Sequence, residues 1–296
     1  MNQKTRSLAL LRRLEWGVKH AADNILGGEY RSAFRGRGME FDQVVRYEYG
    51  DDVRDIDWNV TARLGEPYRK KYIEEREVTL ILVFEDSLSL QFGSGQRSKR
   101  EVLMELAGLL GLLSAVNRDR IGILYASPTR YWLREPVRGR GAILHSCASL
   151  ISQEPATFEE VSATEAAVKI PWKLLFHTAP RHSVILWLGD FPPRSVPEGW
   201  ATLRRRYQTM GFRVEDAWEM ELPKELTLTA FDPLQRRLVQ LEGGSIAQQK
   251  AHQDWLKARD TAWTNLFPNR LARLELQTNE DVLDALVKFF RARMNQ

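Results

Sequence analysis

The chain is poor in cysteine, in long apolar runs and in the short motifs of common catalysis. Its single cysteine, Cys147, cannot form a disulfide within the chain, which suits a reducing compartment. Cys147 lies in the mostly apolar stretch Ala142–Ile151, so a buried, inert thiol is expected there. The longest apolar stretch, Val102–Val116, is interrupted by Glu105 and is shorter than the roughly 20 residues a membrane span needs. No membrane insertion is expected. Met1-Asn2-Gln3-Lys4 leads into no apolar signal-peptide core, so the cytoplasm is the expected location. There is no Gly-x-x-x-x-Gly-Lys-Ser/Thr loop for nucleotide phosphates and no Gly-x-Ser-x-Gly nucleophile elbow. Gly36-Arg37-Gly38 lacks the third glycine and the preceding strand of a dinucleotide site. None of His20, His145, His177, His182 and His252 has a companion at metal-ligand spacing.

Charge of one sign is also lacking. The 43 Lys and Arg against 39 Asp and Glu leave a net charge of +4 over 296 residues. Acids and bases are interleaved, most evenly through Arg31–Arg76, which describes a solvated, salt-bridged surface. The basic triplet Arg204-Arg205-Arg206 is the strongest hint of nucleic acid, but such a triplet more often lies on a solvated helix face. Nucleic acid is therefore not the expected partner.

What is present is an alternation of strands and helices. Leu8–Ile25 carries apolar residues at helical spacing and stops at Gly27-Gly28. Arg35–Arg63 is dense in Gly, Asp, Arg and aromatics without a clean period, and reads as a structured loop region with short strands. Glu77–Glu85 is a continuous apolar run ending in acids, the pattern of a central parallel strand buried on both faces. Helices are predicted over Ser98–Asn117, Gly139–Ser152, Thr164–His177 (broken or kinked at Pro171) and Trp200–Thr209. Strands are predicted over Arg120–Ala126, Arg130–Arg134, Ser183–Leu188 and Phe212–Trp218. Beyond Glu221 come a hairpin (Leu226–Thr229, Arg237–Leu241), a polar helix Ile246–Trp263, a strand Leu271–Leu276 and a closing helix Asp281–Met294. The pattern predicts an α/β fold with a doubly wound, mostly parallel sheet. Residues 1–76 form a polar leading segment, 77–220 the main domain, and 221–296 a hairpin-and-helix extension packed on it.

Ligands of such sheets bind outside the carboxyl ends of the strands. Glu85-Asp86-Ser87-Leu88-Ser89 follows the first central strand, Gly189-Asp190 follows a second, and Thr164 stands in a third connection. Glu85, Ser87, Ser89, Thr164 and Asp190 together would make an all-oxygen cluster of the kind Mg²⁺ prefers. That is the pattern of a metal-ion-dependent adhesion site, whose last position is left for a partner's carboxylate. The alternative is structural: Ser87 and Ser89 cap the following helix or satisfy loop amides.

Two blocks resemble the von Willebrand A-like family called domain of unknown function 58. One runs Gly36-Arg37-Gly38-Met39-Glu40-Phe41, then Arg46-Tyr47 and Gly50-Asp51-Asp52-Val53-Arg54-Asp55-Ile56-Asp57-Trp58, closing on Ala62-Arg63. The other is Ser87-Leu88-Ser89 through Gly93. The resemblance covers about Arg35 to Met294, with Pro223 and Phe231-Asp232-Pro233 fitting the family's C-terminal pattern. It implies a von Willebrand A-like fold and a non-enzymatic adaptor acting with a MoxR-type AAA+ ATPase in protein assembly or maturation. The family's metal motif is Asp-x-Ser-x-Ser, and here Glu85 holds the first position. The longer carboxylate either holds Mg²⁺ through a water or marks a site without metal. Arg46, Asp51, Asp52, Arg54, Asp57, Trp58 and Arg63 read first as a fold-locking network of Arg–carboxylate pairs packed on Trp58 and Tyr47. They read second as a partner-docking surface. They read last as the carboxylates (Asp51, Asp52, Asp57) of a metal-dependent phosphoesterase or nuclease.

Overall fold

The computed structural model describes Leu14, Tyr30, Phe34 and residues 40–73, 77–161, 167–221, 223–225, 227–232 and 237–294. The chain divides into two units, Phe34–Glu77 on its own and Val78–Gln296 with Met1–Ala33. The helix expected over Leu8–Ile25 lies outside the described residues except for Leu14, which is helical and buried.

In the smaller unit, strand β1 (Glu40–Arg46) pairs antiparallel with β2 (Tyr68–Ile73). Between them lie a 3-10 turn (Val53–Asp55) and a short helix α1 (Trp58–Leu64). The sequence predicts only loop and strand here, because seven residues are too few to show a helical period. The helix is set instead by its ends. The Asp57 carboxylate accepts from the amides of Asn59 and Val60, and Gly65, at φ 74°, takes the left-handed turn that stops the helix.

The larger unit runs β3 (Thr79–Glu85), α2 (Lys99–Val116), β4 (Arg120–Ala126), β5 (Tyr131–Val137), α3 (Arg140–Ile151), α4 (Trp172–Thr178), β6 (Val184–Gly189), α5 (Trp200–Arg206), β7 (Gln208–Glu215), α6 (Ala217–Met220), β8 (Thr227–Asp232), β9 (Arg237–Glu242), α7 (Ile246–Leu266), β10 (Arg273–Gln277) and α8 (Val282–Met294). Six strands form one sheet in the order β10-β7-β6-β3-β4-β5, while β8 and β9 form a separate hairpin. Every pairing in the large sheet is parallel except β4 with β5. The chain leaves β3 for β4 on one side and later returns to β6 on the other. The strand order therefore reverses between β3 and β6, and the carboxyl ends of those two strands are the switch point.

The apolar run of β3 explains its central position. Ile81 and Val83 pack with Ile185 and Trp187 of β6 in an aromatic-rich core with Trp172, Trp200, Trp263 and Phe267. Leu80, Leu82 and Phe84, which alternate with them, are equally buried. Helix α2 starts at a capping box, with Ser98 accepting from the Glu101 amide and Glu101 accepting from the Ser98 amide. It packs closely on α3: a Cβ built at Gly111 would stand 2.2 Å from the Cys147 Sγ. Gly111→Ala is expected to overpack that contact and to cost about 1–3 kcal/mol, read as a lower urea midpoint. Burial pushes the Cys147 thiol up to about 12, which keeps it a packing group.

Two expected boundaries are corrected. Residues 168–170 are not helical, and α4 begins at Trp172, directly after Pro171. Pro171 thus starts this helix rather than kinking a longer one; proline lacks the N–H a helix interior needs but loses nothing at its start. The helix expected over Trp200–Thr209 ends at Arg206, and β7 begins at Gln208 rather than Phe212 because Gln208 and Thr209 pair with Val184 and Ile185.

Candidate functional site

The carboxyl ends of β3 and β6 carry Glu85 and, just beyond β6, Asp190; both are buried. After β3 the chain turns through a 3-10 segment, Leu88–Gln91. Leu88 and Leu90 point inward there, while Ser87 is half-buried and Ser89 exposed. Ser87 Oγ lies 2.9 Å from Ser89 Oγ, and Ser89 Oγ donates to Asp190 Oδ2 at 2.7 Å. An ionised carboxylate can only accept, so the Ser89 proton is committed to Asp190 and Ser87 is the donor in the serine pair. Ser98 caps α2 by itself, and Ser87 makes no side-chain cap bond.

A lysine completes the site from below. Lys99, in the first turn of α2, is fully buried. Its ammonium donates to Asp190 Oδ1 at 2.8 Å and to Glu219 Oε1. Arg259 of α7, also buried, donates to the Asp190 backbone oxygen at 2.9 Å and approaches Oδ1 at 3.3 Å. Burial alone would raise the Asp190 carboxyl. The charges of Lys99 and Arg259, with hydrogen bonds from Lys99 and Ser89, outweigh it and hold the carboxyl below its ordinary range. Burial dominates at Glu219, whose carboxyl is raised despite Lys99.

The acids after β3 are paired as well. Glu85 receives Arg194 through two parallel bonds of 2.8 and 3.0 Å and the Trp187 indole N–H at 2.9 Å. Asp86 points to the other side of the strand, as the alternation of side chains requires. It is bound there by Arg100 at 2.9–3.0 Å and by the Tyr125 hydroxyl at 2.8 Å. Burial, then the Asp86 charge, push the Tyr125 phenol up to about 12.

This donor set does not fit a divalent ion as it stands. Glu85 is closed by Arg194, and Asp190 already faces two cations. Among the described residues, no group of three or more His, Cys, Asp and Glu side chains is placed to hold a metal. Thr164 lies outside the described residues.

Beside the two serines opens a groove of about 770 Å³. Trp172, Ile170, Pro192, Pro193 and Pro197 wall it, with Arg194 and the exposed Lys169 and Lys173 as its cations. Arg194 is stacked over Trp187, 5.2 Å from the ring centre, which fixes the guanidinium as one side of the groove.

In the smaller unit, the expected pairings differ. Asp51 is bound by Arg69 at 2.6 Å and by the Glu48 amide, Asp52 caps the 3-10 turn at the Arg54 amide, and Asp57 caps α1. Arg46 pairs instead with Glu66, and no ion pair to this cluster is made by Arg54 or Arg63 among the described contacts. Trp58 is not a packing platform, being 67% exposed. The acids here hold turns, a role that fits local capping rather than a convergent site. The sequence reading missed Lys99, Arg194, Glu219 and Arg259. None carries a local motif; each reaches the rim from an element distant in sequence. The one available signal was Lys99 at the start of an apolar helix, where an unpaired cation is unfavourable.

A six-stranded, mostly parallel, doubly wound sheet with serines and acids at its switch point defines an α/β protein. The profile of the family described as "Protein of unknown function DUF58" matches residues 43–261, and the chain belongs to that family. An uncharacterized protein of Mycobacterium tuberculosis and its counterpart in Mycobacterium bovis are each 28% identical over 216 residues, covering 73% of this chain and 67% of theirs. Among solved structures, the conserved hypothetical protein BatB from Bacteroides thetaiotaomicron is similar at 11% identity and TM-score 0.35, over 74% of this chain and 100% of that one. An aerotolerance-related membrane protein from Bacteroides fragilis overlays at 11% identity and TM-score 0.40, over 74% and 98%. At those scores the overlays are loose, and neither protein's role transfers.

Proposed function

We propose that the chain is a non-enzymatic adaptor that binds a protein partner in the cytoplasm. The partner is a MoxR-type AAA+ ATPase or a client of that ATPase, in the assembly or maturation of other proteins. The observation that carries the reading is the groove beside Ser87 and Ser89. It is wide, walled by Trp172 and prolines, and set at the switch point where α/β sheets take their ligands. The paired state of the rim supports the same reading. Glu85, Asp86 and Asp190 are each held by a cation, which leaves none of them poised as a general base.

Lys169 and Ser195 line the groove and are exposed, so changing them leaves the core intact. The double substitution Lys169→Glu, Ser195→Glu is expected to shift stability by no more than about 0.5 kcal/mol. Affinity for the partner ATPase, measured by biolayer interferometry, should fall about tenfold or more, equivalent to about 1.4 kcal/mol. Unchanged affinity would remove the groove as the docking site. Absence of binding by the parent protein would remove the ATPase as the partner.

A further inference from the structure

The rim has the hydroxyls and the carboxylate of a cation site, and it has a cation. We propose that the Lys99 ammonium is a built-in replacement for the divalent ion, so that the Ser87–Ser89–Asp190 rim is organised without metal. Three observations support this independently of any docking partner. First, the ammonium already takes Asp190 Oδ1 at 2.8 Å, with Glu219 as a second carboxylate, while Ser89 holds the other Asp190 oxygen, so neither carboxylate oxygen is left for an ion. Second, the charges balance. Lys99, Arg259 and Arg213 stand against Asp190, Glu219 and Glu215, and all of these but Glu219 are buried. A divalent ion added at the rim would stand next to Lys99 and Arg259 with no free carboxylate to offset its charge, which is unfavourable. Third, the carboxylate at the other end of the motif is spoken for: Arg194 binds both oxygens of Glu85 through Nη1 and Nη2, and Trp187 adds a third donor.

An ammonium and a hydrated divalent ion differ in one way that matters here. A metal can be removed by chelation and supplied again; a lysine on α2 cannot. The capping box at Ser98 and Glu101 fixes the first turn of α2, and with it the point from which Lys99 reaches Asp190. The rim is thus assembled whenever the domain is folded.

The test uses the purified protein and Mg²⁺ or Mn²⁺ alone. The melting temperature of the parent should agree within about 1 °C between EDTA and excess metal, whereas Lys99→Ala, with Asp190 and Glu219 now lacking their ammonium, should melt lower in EDTA and gain about 3 °C or more in metal. Ser89→Ala in the Lys99→Ala background should reduce that gain. Because Lys99→Ala can fail to fold, calorimetric titration of the parent with Mn²⁺ gives a second reading, with no saturable heat expected. Saturable Mn²⁺ binding by the parent that Ser89→Ala weakens would overturn the proposal. So would a folded Lys99→Ala protein indifferent to metal, since Lys99 would then be an ordinary interior ion-pair partner. Neither result depends on which protein docks in the groove.

Discussion

Asp190→Ala is expected to cost about 3–5 kcal/mol of folding stability, the range found when one member of a buried ion pair is removed. The size follows from what would be left behind. Lys99 and Arg259 are both buried, and Asp190 is the carboxylate they share. Without it, Lys99 keeps only Glu219, Arg259 keeps only the more distant Glu215 at 3.8 Å, and Ser89 loses its acceptor. Asp190→Asn keeps the shape and an acceptor oxygen but removes the charge, so it should cost less than the alanine variant while remaining clearly destabilised. The pH dependence separates charge from packing. Asp190 is held below the ordinary carboxylate range in the folded protein. Its ionic contribution is therefore complete above that range and is lost as pH falls through the folded value. Urea midpoints measured from neutral pH downward should show a shallower acid limb in Asp190→Asn than in the parent. Identical acid limbs would mean that the Lys99–Asp190–Arg259 cluster does not set acid stability.

Trp187→Ala should destabilise by a similar amount, about 3–5 kcal/mol, through a cavity in the aromatic part of the core. Trp187 is fully buried and meets Trp172 at 4.6 Å, Phe191 at 4.9 Å and Trp200 at 5.0 Å between ring centres. Four aromatic rings and the Arg194 guanidinium border the space it would vacate, and large rings of this kind collapse poorly onto a void. The same residue donates its indole N–H to Glu85, so Trp187→Phe tests the polar part alone. That variant keeps most of the ring packing and leaves Glu85 with Arg194, and should cost about 1–3 kcal/mol. The alanine variant should also loosen Arg194, seen as weaker partner binding before the protein unfolds. Equal losses in the two variants would show that the hydrogen bond, not the ring, dominates.

The parallel sheet was legible because its strands are uniformly apolar. Leu80–Phe84 and Val184–Leu188 cannot be placed anywhere except between two covered faces. The limits of α4 and α5 were less legible, since a seven-residue helix shows barely two turns of period and tertiary pairing decides where β7 begins. Helix α1 was missed for the same reason. At the site, Ser87, Ser89 and Asp190 were findable because strand ends at a switch point announce themselves. Their cations were not. Lys99 and Arg259 come to Asp190 from 91 and 69 residues away, and only the folded chain shows which charges meet. The expected Arg pairings around Asp51 and Asp57 failed in a related way: adjacent arginines in sequence suggested partners, but backbone amides and the facing strand β2 supply them.

The order of protons along Ser87, Ser89 and Asp190 has a consequence for what can touch the rim. Each hydroxyl spends its hydrogen inward, Ser87 on Ser89 and Ser89 on the carboxylate. The oxygens therefore turn lone pairs toward solvent, and the rim is an acceptor surface with its positive charge sealed beneath it. A carboxylate arriving at these hydroxyls brings more lone pairs and meets no donor from them; an amide, an ammonium or a guanidinium brings the hydrogen that they lack. The buried lysine thus reverses the polarity that an exposed metal would give the same residues.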